Sequence, residues 1–227
     1  SLRAVAMSIA LTLGGAVATQ AEMAQPQGPI VLTISGSIDQ SNTKDGTATS
    51  PITWNASGTV VIDAETTRNN GIYLDTVNYN TISGFIVENT TVSNGLQVVA
   101  SDNNSFTNIT AYNASESAGG ITLNSTSDNN VITNIVAFGG TKAGIYSSGS
   151  NTKIINSTAY SNVTKGYDVG GGSGYSISGA TSYANTTFGI QFDSLTNSVL
   201  RSSAIFANKS HGVYVFNNSD NNTILNN

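Results

Sequence analysis

A glycine that leads a short run of alternating apolar residues recurs seven times and constrains the fold more than any other feature of the chain. The successive glycines lie 24, 25, 24, 22, 23 and 23 residues apart. Two further columns keep the same period, one apolar and one aromatic. The glycine-led segments are GIYL at Gly71, GLQV at Gly95, GITL at Gly120, GIYS at Gly144, GYDV at Gly166, GIQF at Gly189 and GVYV at Gly212. The apolar column is Ile82, Phe106, Ile132, Ile155, Ile177, Leu200 and Leu225, and the aromatic column is Tyr112, Phe138, Tyr160, Tyr183 and Phe206.

Each repeat holds short alternating runs that suit strands of a few residues. Corners rich in Asn and Asp, such as SDNN at Ser101 to Asn104 and at Ser127 to Asn130, separate these runs. One such unit cannot bury its own apolar side, but stacked units build a continuous interior. Parallel crossovers are right-handed in nearly all cases. The sequence therefore predicts an all-β fold, a right-handed parallel β-helix (solenoid) of about 23 residues per coil.

The N-terminus differs from the repeats. An apolar run from Ala4 to Thr19 follows Arg3 and suits a secretory signal, although it is short for a membrane span. We expect residues 1–25 to be a signal peptide or a retained hydrophobic segment, the only part that would meet a membrane. Residues 26–70 would supply the strands that lead into the first coils, and 71–227 the β-helix repeats. Secretion predicts an extracellular location at the cell surface.

Charge and cysteine content exclude several classes of partner and of binding site. The eight Lys and Arg residues in a chain of net charge −5 cannot neutralise a phosphate track, so no nucleic-acid partner is expected. The same balance argues against an acidic polymer attracted by bulk electrostatics. The chain has no cysteine, which excludes a disulfide framework and thiolate metal sites.

The pattern GIYL…NTISGF…N…GLQV…SDNNSFTN resembles the β-helix repeats of NosD-type and pectate-lyase-like proteins. The resemblance covers roughly residues 50–227, and the segment from Gly46 to Glu65 is similar to the leading coil of such proteins. It implies the parallel β-helix, but it leaves function open, because this superfamily includes polysaccharide lyases, hydrolases, epimerases, surface-layer proteins and adhesins.

Catalytic groups are sparse. No two acidic residues are adjacent, as β-helical hydrolases would need, and the sole histidine, His211, precedes a repeated glycine at a corner. Lyases of this fold combine a calcium-binding acidic cluster with a basic residue, and calcium prefers six to eight oxygen ligands. The densest acidic region is therefore the candidate ion or glycan site, with calcium as the possible cofactor and no catalytic residue assigned. Its members are Asp63, Glu65, Asp75, Glu88 and Arg68.

Two functions remain open. The leading interpretation is a structural protein of the cell surface, such as a sheath, surface-layer, filament or adhesin-stalk subunit. It would self-associate through strand edges, because the last residues, Asn221 to Asn227, form no evident cap. The alternative is a polysaccharide-active enzyme of the lyase or epimerase class, or a glycan-binding module. Whether the chain is an enzyme stays open, and a polysaccharide lyase would be the expected type.

Overall fold

The predicted all-β parallel β-helix is confirmed by a computed structural model, which describes residues 31–35, 37–41, 45–90, 93–114 and 119–227. The solenoid makes about seven turns of roughly 24 residues. The described residues contain no helix that is long and apolar enough to cross a membrane. The predicted signal or hydrophobic segment at residues 1–25 lies outside the described residues.

Short strands make up the described part of the chain. In chain order they are β1 (Val31–Ser35), β2 (Ile38–Ser41), β3 (Ile52–Asp63), β4 (Ile72–Asp75), β5 (Asn80–Glu88), β6 (Leu96–Val99), β7 (Ser105–Thr107), β8 (Thr110–Tyr112), β9 (Gly119–Leu123), β10 (Val131–Thr133), β11 (Val136–Phe138), β12 (Ala143–Ser147), β13 (Lys153–Ile155), β14 (Thr158–Tyr160), β15 (Tyr167–Gly170), β16 (Ser176–Ser178), β17 (Thr181–Tyr183), β18 (Ile190–Asp193), β19 (Val199–Arg201), β20 (Ala204–Phe206), β21 (Val213–Phe216) and β22 (Thr223–Leu225).

Each coil supplies one strand to each of three parallel stacks. One stack is an eight-stranded sheet in the order β2-β4-β6-β9-β12-β15-β18-β21. The other two are arms of a fourteen-stranded sheet, β7 to β22 and β8 to β20, which join at the long strands β3 and β5. Every pairing between these strands is parallel, so each strand hydrogen-bonds the same strand of the next coil, as the repeat predicted.

The interior consists of rows of buried side chains that follow the solenoid axis, and most strands of the eight-stranded stack contribute two, as Ile72 and Leu74 do in β4. The apolar column is confirmed with two corrections, because Ile154 and Ile224, not Ile155 and Leu225, pair with its other members. Side chains alternate between the two faces of a strand, so a shift of one position moves a residue from the core to the surface. In β13 the burial sequence is exposed, buried, half-buried, which places Ile154 inside and Ile155 outside.

The repeated glycine sits where two strands of a coil approach closely. A Cβ atom on Gly144 would lie 2.9 Å from Ala159 Cβ and 3.1 Å from Ala137 O, closer than packed atoms allow. Gly95 and Gly120 face the Ala111 and Ala137 side chains in the same way. Glycine opposite alanine therefore sets the width of the coil at this corner.

We expect Gly144→Ala to destabilise the protein by about 1–3 kcal/mol, because the added methyl group overpacks this contact. Gly212 occupies the same column, but a Cβ atom there would meet only Ile205 Cγ2, at 3.5 Å. Gly212→Ala is therefore the matched control and should unfold at nearly the wild-type urea concentration. Urea denaturation followed by circular dichroism measures both, and equal stability of the two variants would contradict the steric explanation.

Buried asparagines link successive coils at one corner. Asn104 Oδ1 accepts a hydrogen bond from the Asn80 N–H (2.7 Å), and Asn130 Oδ1 accepts one from the Asn104 N–H (2.8 Å). The Asn130 side-chain amide also donates to Ser101 O (3.0 Å). Each amide thus satisfies backbone groups that the corner removes from the strand ladder.

Replacing Asn130 with alanine should lower the free energy of unfolding by about 2–4 kcal/mol, because it leaves a buried N–H and a buried carbonyl unsatisfied. The adjacent Asn129 is exposed and has a positive φ of 56°, so Asn129→Gly is the control. The two unfolding free energies from urea titration test this. A loss for Asn129→Gly as large as that for Asn130→Ala would show that the buried amide is not the cause.

The aromatic column is also confirmed. Its five rings stack along the outer face of one arm of the fourteen-stranded sheet, with centroids 4.9–5.2 Å apart and planes within 2–11° of parallel. This spacing follows the separation of paired strands, about 4.8 Å. The stack is therefore a direct result of the repeat placing one ring in each coil.

Candidate functional site

A groove runs along the outer face of the eight-stranded sheet. It consists of two adjoining cavities, of about 560 and 530 Å³, which share Ser93 and Gln97. Its floor belongs to a column of outward side chains that pair strand by strand along the sheet, and the members from Asp39 to Asp168 line the two cavities. All members but the first lie two positions after a repeated glycine. The floor column is Asp39, Tyr73, Gln97, Thr122, Tyr146, Asp168, Gln191 and Tyr214.

Two lysines from successive coils line the middle of the groove. Thr164 N–H donates to Lys142 O, and Gly144 N–H donates to Lys165 O, so the lysines lie one coil apart at the same corner. The Lys165 ammonium is 2.6 Å from Asp168 Oδ2. The Lys165 ammonium has three donors and lines the groove, so it can donate to a ligand as well as to Asp168.

Arg68 and Tyr73 line the N-terminal part of the groove. The Tyr73 hydroxyl donates to Asp75 Oδ2 at 3.1 Å. Burial raises the pKa of Tyr73, and the hydrogen bond and negative charge of Asp75 raise it further. Tyr73 is therefore a neutral hydroxyl group in the groove at physiological pH.

Aromatic side chains follow the groove along the same face of the eight-stranded sheet, beyond Asp168. The Phe188 and Tyr214 ring centroids are 4.5 Å apart with an angle of 27° between the planes. His211 contacts both rings, at 5.5 and 5.3 Å, and Phe216 lies 5.2 Å from Tyr214. We call Phe188, His211, Tyr214 and Phe216 the aromatic cluster.

The residues of the predicted acidic site separate into two places. Asp63 and Glu88 are paired neighbours on β3 and β5 of the fourteen-stranded sheet. Asp75 belongs instead to the eight-stranded sheet, so it lies on a different stack from Asp63. Glu65 lies in the turn after β3, not on the strand beside Asp63. Only Arg68 lines the groove, while Asp75 reaches it through Tyr73.

The Asp63 and Glu88 carboxylates interact unfavourably. Asp63 Oδ1 accepts hydrogen bonds from the Glu65 N–H (2.8 Å) and the Asn89 amide (3.1 Å), which stabilise its charge. Burial raises the pKa of Glu88, and the charge of Asp63 raises it further. Calcium at this pair stays a prediction.

Glu88→Gln should stabilise the protein relative to wild type as the pH rises above the ordinary glutamate pKa of 4.5. A raised native pKa means that the folded state holds the proton more tightly, so wild-type stability falls as pH rises through that pKa. Below pH 4.5 Glu88 is protonated in both states, and the difference between the proteins should be constant. Thermal unfolding across this range, repeated in an Asp63→Asn background, measures it. A pH-independent difference, or one that persists in full without Asp63, would contradict the interaction.

Sequence reasoning placed the candidate site on the acidic residues and did not assign the floor column. The signal was present, because the second residue after each repeated glycine is polar or aromatic in all seven repeats. Such residues alternate with buried ones, as Tyr73 does with Ile72 and Leu74 in β4.

A model of the family described as "Periplasmic copper-binding protein (NosD)" matches residues 39–227. The chain belongs to the NosD family. The match spans the described solenoid from β2 onward and confirms the predicted resemblance to β-helix repeat proteins. No curated protein matches the chain.

The donor groups of this NosD-family chain do not fit a copper site. Copper binds through thiolates, thioethers or imidazoles, and the chain has no Cys, one His and two Met, both outside the described residues. His211 Nδ1 already lies 2.7 Å from Ser210 Oγ. Within the described ranges, no group of three or more His, Cys, Asp or Glu side chains could hold a metal ion.

Solved structures share the fold at low sequence identity. A double mutant of the periplasmic alginate epimerase AlgG is 13% identical, with a TM-score of 0.64 over 74% of this chain and 43% of its own. The A-module of the Azotobacter vinelandii mannuronan C-5 epimerase AlgE6 is 13% identical (TM-score 0.56, 82% and 61%). Pectate lyase Pel9A is 15% identical (TM-score 0.53, 86% and 68%). This chain thus spans less than two thirds of either epimerase structure.

Proposed function

We propose that the groove on the eight-stranded sheet binds an acidic polysaccharide, a polymer of uronic acid residues. The observation that carries the proposal is the local concentration of positive charge. Arg68, Lys142 and Lys165 line the groove with only two carboxylates, Asp39 and Asp168, which gives it a formal charge of +1 on a chain of net charge −5. The local field of a cleft, not the net charge, attracts an anionic ligand.

The remaining lining groups suit a sugar chain. Gln97 and Asn124 offer side-chain amides that can hydrogen-bond sugar hydroxyls, and Tyr73 and Tyr146 add aromatic surface with a polar end. These groups repeat along the solenoid at about 4.8 Å per coil. A linear polymer that lies along the axis can therefore contact side chains at the same position of successive coils, although the residue type changes from coil to coil.

The comparisons favour this proposal over a structural role. The three similar structures are named for alginate, mannuronan and pectate, all of which are uronic acid polymers. Their similarity to this chain concerns the fold, so they support the ligand class only through the chemistry of the groove. The NosD family and AlgG are both described as periplasmic, which further supports a location outside the cytoplasm, either periplasmic or extracellular.

Binding without turnover is the form of the proposal that the groove chemistry supports best. A lyase or epimerase needs a base that removes the proton next to the uronate carboxyl group. Lys165 is engaged by Asp168 as an ammonium ion, which suits recognition of a carboxylate better than proton abstraction. Ultraviolet detection of unsaturated uronates, with and without calcium, tests the enzymatic alternative. If unsaturated product forms, and Lys142→Gln and Lys165→Gln abolish its formation, the groove is a catalytic site and not only a binding site.

Replacing both Lys142 and Lys165 with glutamine should weaken binding of a polymannuronate oligomer about tenfold or more, because each ammonium–carboxylate hydrogen bond contributes roughly 1.5–3 kcal/mol. The affinity of this double variant should also depend less on salt concentration than the affinity of the wild type does. Isothermal titration calorimetry at several salt concentrations measures both effects. The control is Lys153→Gln with Arg201→Gln, which removes two exposed cations from the fourteen-stranded sheet. Equal losses in the two double variants would overturn the proposed site, and so would binding of a neutral glucan as tight as that of the uronate.

A structural role at the cell surface, with self-association through strand edges, stays a second prediction. The structure describes one chain, and its contacts do not bear on assembly. Light scattering of the purified full chain, together with the binding measurements, separates the two functions, because only the structural role requires ordered polymers.

A further inference from the structure

The aromatic cluster lies on the same sheet face as the groove, in the coils that follow its charged part. On the floor, Gln191 pairs with Asp168 on one side and with Tyr214 on the other. Along the wall, Gly166 N–H donates to Phe188 O and Gly189 N–H donates to His211 O, so Phe188 lies one coil beyond Lys165 and His211 two coils beyond it. The cluster therefore begins about 5 Å along the axis from the Lys165 coil, the distance between paired strands.

The rings of this cluster are arranged differently from the aromatic column on the fourteen-stranded sheet. In that column each inner ring is stacked between two neighbours within 11° of parallel, so both of its faces are covered. In the cluster Tyr214 is stacked with both Phe188, at 27°, and Phe216, at 19°, whereas His211 meets Phe188 at 63°. Tyr214 and Phe216 stand on the same face of β21, within 19° of parallel, and both remain partly exposed.

Such a surface suits the apolar face of a sugar ring. The face of an aromatic ring carries partial negative charge and attracts the weakly positive C–H groups of a pyranose. Contacts among the four side chains hold the rings in place, so little side-chain freedom is lost on binding. The charged residues recognise carboxylates but contact no apolar part of the polymer, and the cluster supplies that contact.

We infer that the aromatic cluster is a stacking subsite for the same polymer, so that a uronate chain runs along the solenoid axis from the lysines to Tyr214. The inference rests on the proposed function. It also specifies the direction of the bound chain and the length that it needs. From the Lys142 coil to the Tyr214 coil is three strand separations, about 14 Å. A disaccharide at the lysines does not reach Tyr214, which lies two strand separations beyond the Lys165 coil, whereas a hexasaccharide does.

The experiment measures the affinity of uronate oligomers of two to eight residues by calorimetry. The wild type should gain affinity with length once the oligomer reaches the cluster. Phe188→Ala and Tyr214→Ala should each weaken hexamer binding by roughly three- to tenfold, in line with the contribution of an aromatic contact. Neither variant should change the salt dependence, because neither residue is charged. Tyr214→Ala should also leave disaccharide binding unchanged, because a disaccharide at the lysines does not reach this ring. Tyr214→Phe keeps the ring and should bind as the wild type does.

Two controls separate stacking from a loss of folding. Phe206→Ala removes an exposed ring from the fourteen-stranded sheet and should not affect binding. Phe188→Leu keeps an apolar side chain without the ring and should lose affinity although the protein remains folded, as checked by circular dichroism. The inference is overturned if the wild type binds the hexamer and the Phe188 and Tyr214 variants bind it equally well, or if Tyr214→Phe loses as much as Tyr214→Ala. In either case the proposed function stands. If the wild type binds no uronate oligomer, the proposed function and the inference fail together.

Discussion

Parallel pairing between successive coils is the interaction on which the rest of this structure depends. Each strand finds its hydrogen-bond partners in the coils on either side, so no coil satisfies its backbone alone. Pairing in register also places like positions on top of each other. Buried Ile132 therefore lies over Phe106 and under Ile154, and the interior becomes continuous. Corners that leave this ladder need side chains such as Asn104 and Asn130 to replace the lost backbone bonds.

The same register controls the surface. A residue type that recurs once per repeat becomes a row along the solenoid, whether the row is structural or functional. The stacked column from Tyr112 to Phe206 and the groove floor from Tyr73 to Tyr214 arise in this way on different stacks. The two rows differ in composition. The first contains only tyrosine and phenylalanine, whose rings stack on one another, whereas the residue type in the second changes from coil to coil. Variation along an ordered row allows different parts of one groove to recognise charge and apolar surface.

Much of the fold could be predicted from the sequence, because it is encoded by period. The glycine spacing predicts the coil length, and the recurrent tyrosines and phenylalanines predict the ring stack. The errors at Ile155 and Leu225 have a local cause, since each follows another aliphatic residue and periodicity alone does not tell which of the two faces inward. The pairing of Gly144 with Ala159 could not be predicted, because it joins two strands of different stacks.

The candidate site was harder to predict because it depends on which stack each residue joins. Asp63 and Asp75 are close in sequence, yet the corner between them sends one to the fourteen-stranded sheet and the other to the eight-stranded sheet. Conversely, Tyr73 and Tyr146 are distant in sequence and belong to one floor. Acid density along the chain is therefore a poor guide, whereas position relative to the repeated glycine assigns a residue to its stack.

A groove built from one residue per coil has a consequence for how such a protein can change over time. Inserting or deleting a complete repeat lengthens or shortens the groove by about 4.8 Å and leaves the neighbouring backbone ladder intact. The length of ligand that the groove contacts can thus evolve separately from the side chains that contact it. Substituting the residue two positions after one repeated glycine would change the contacts in one coil of the groove. Duplicating a repeat would lengthen the groove.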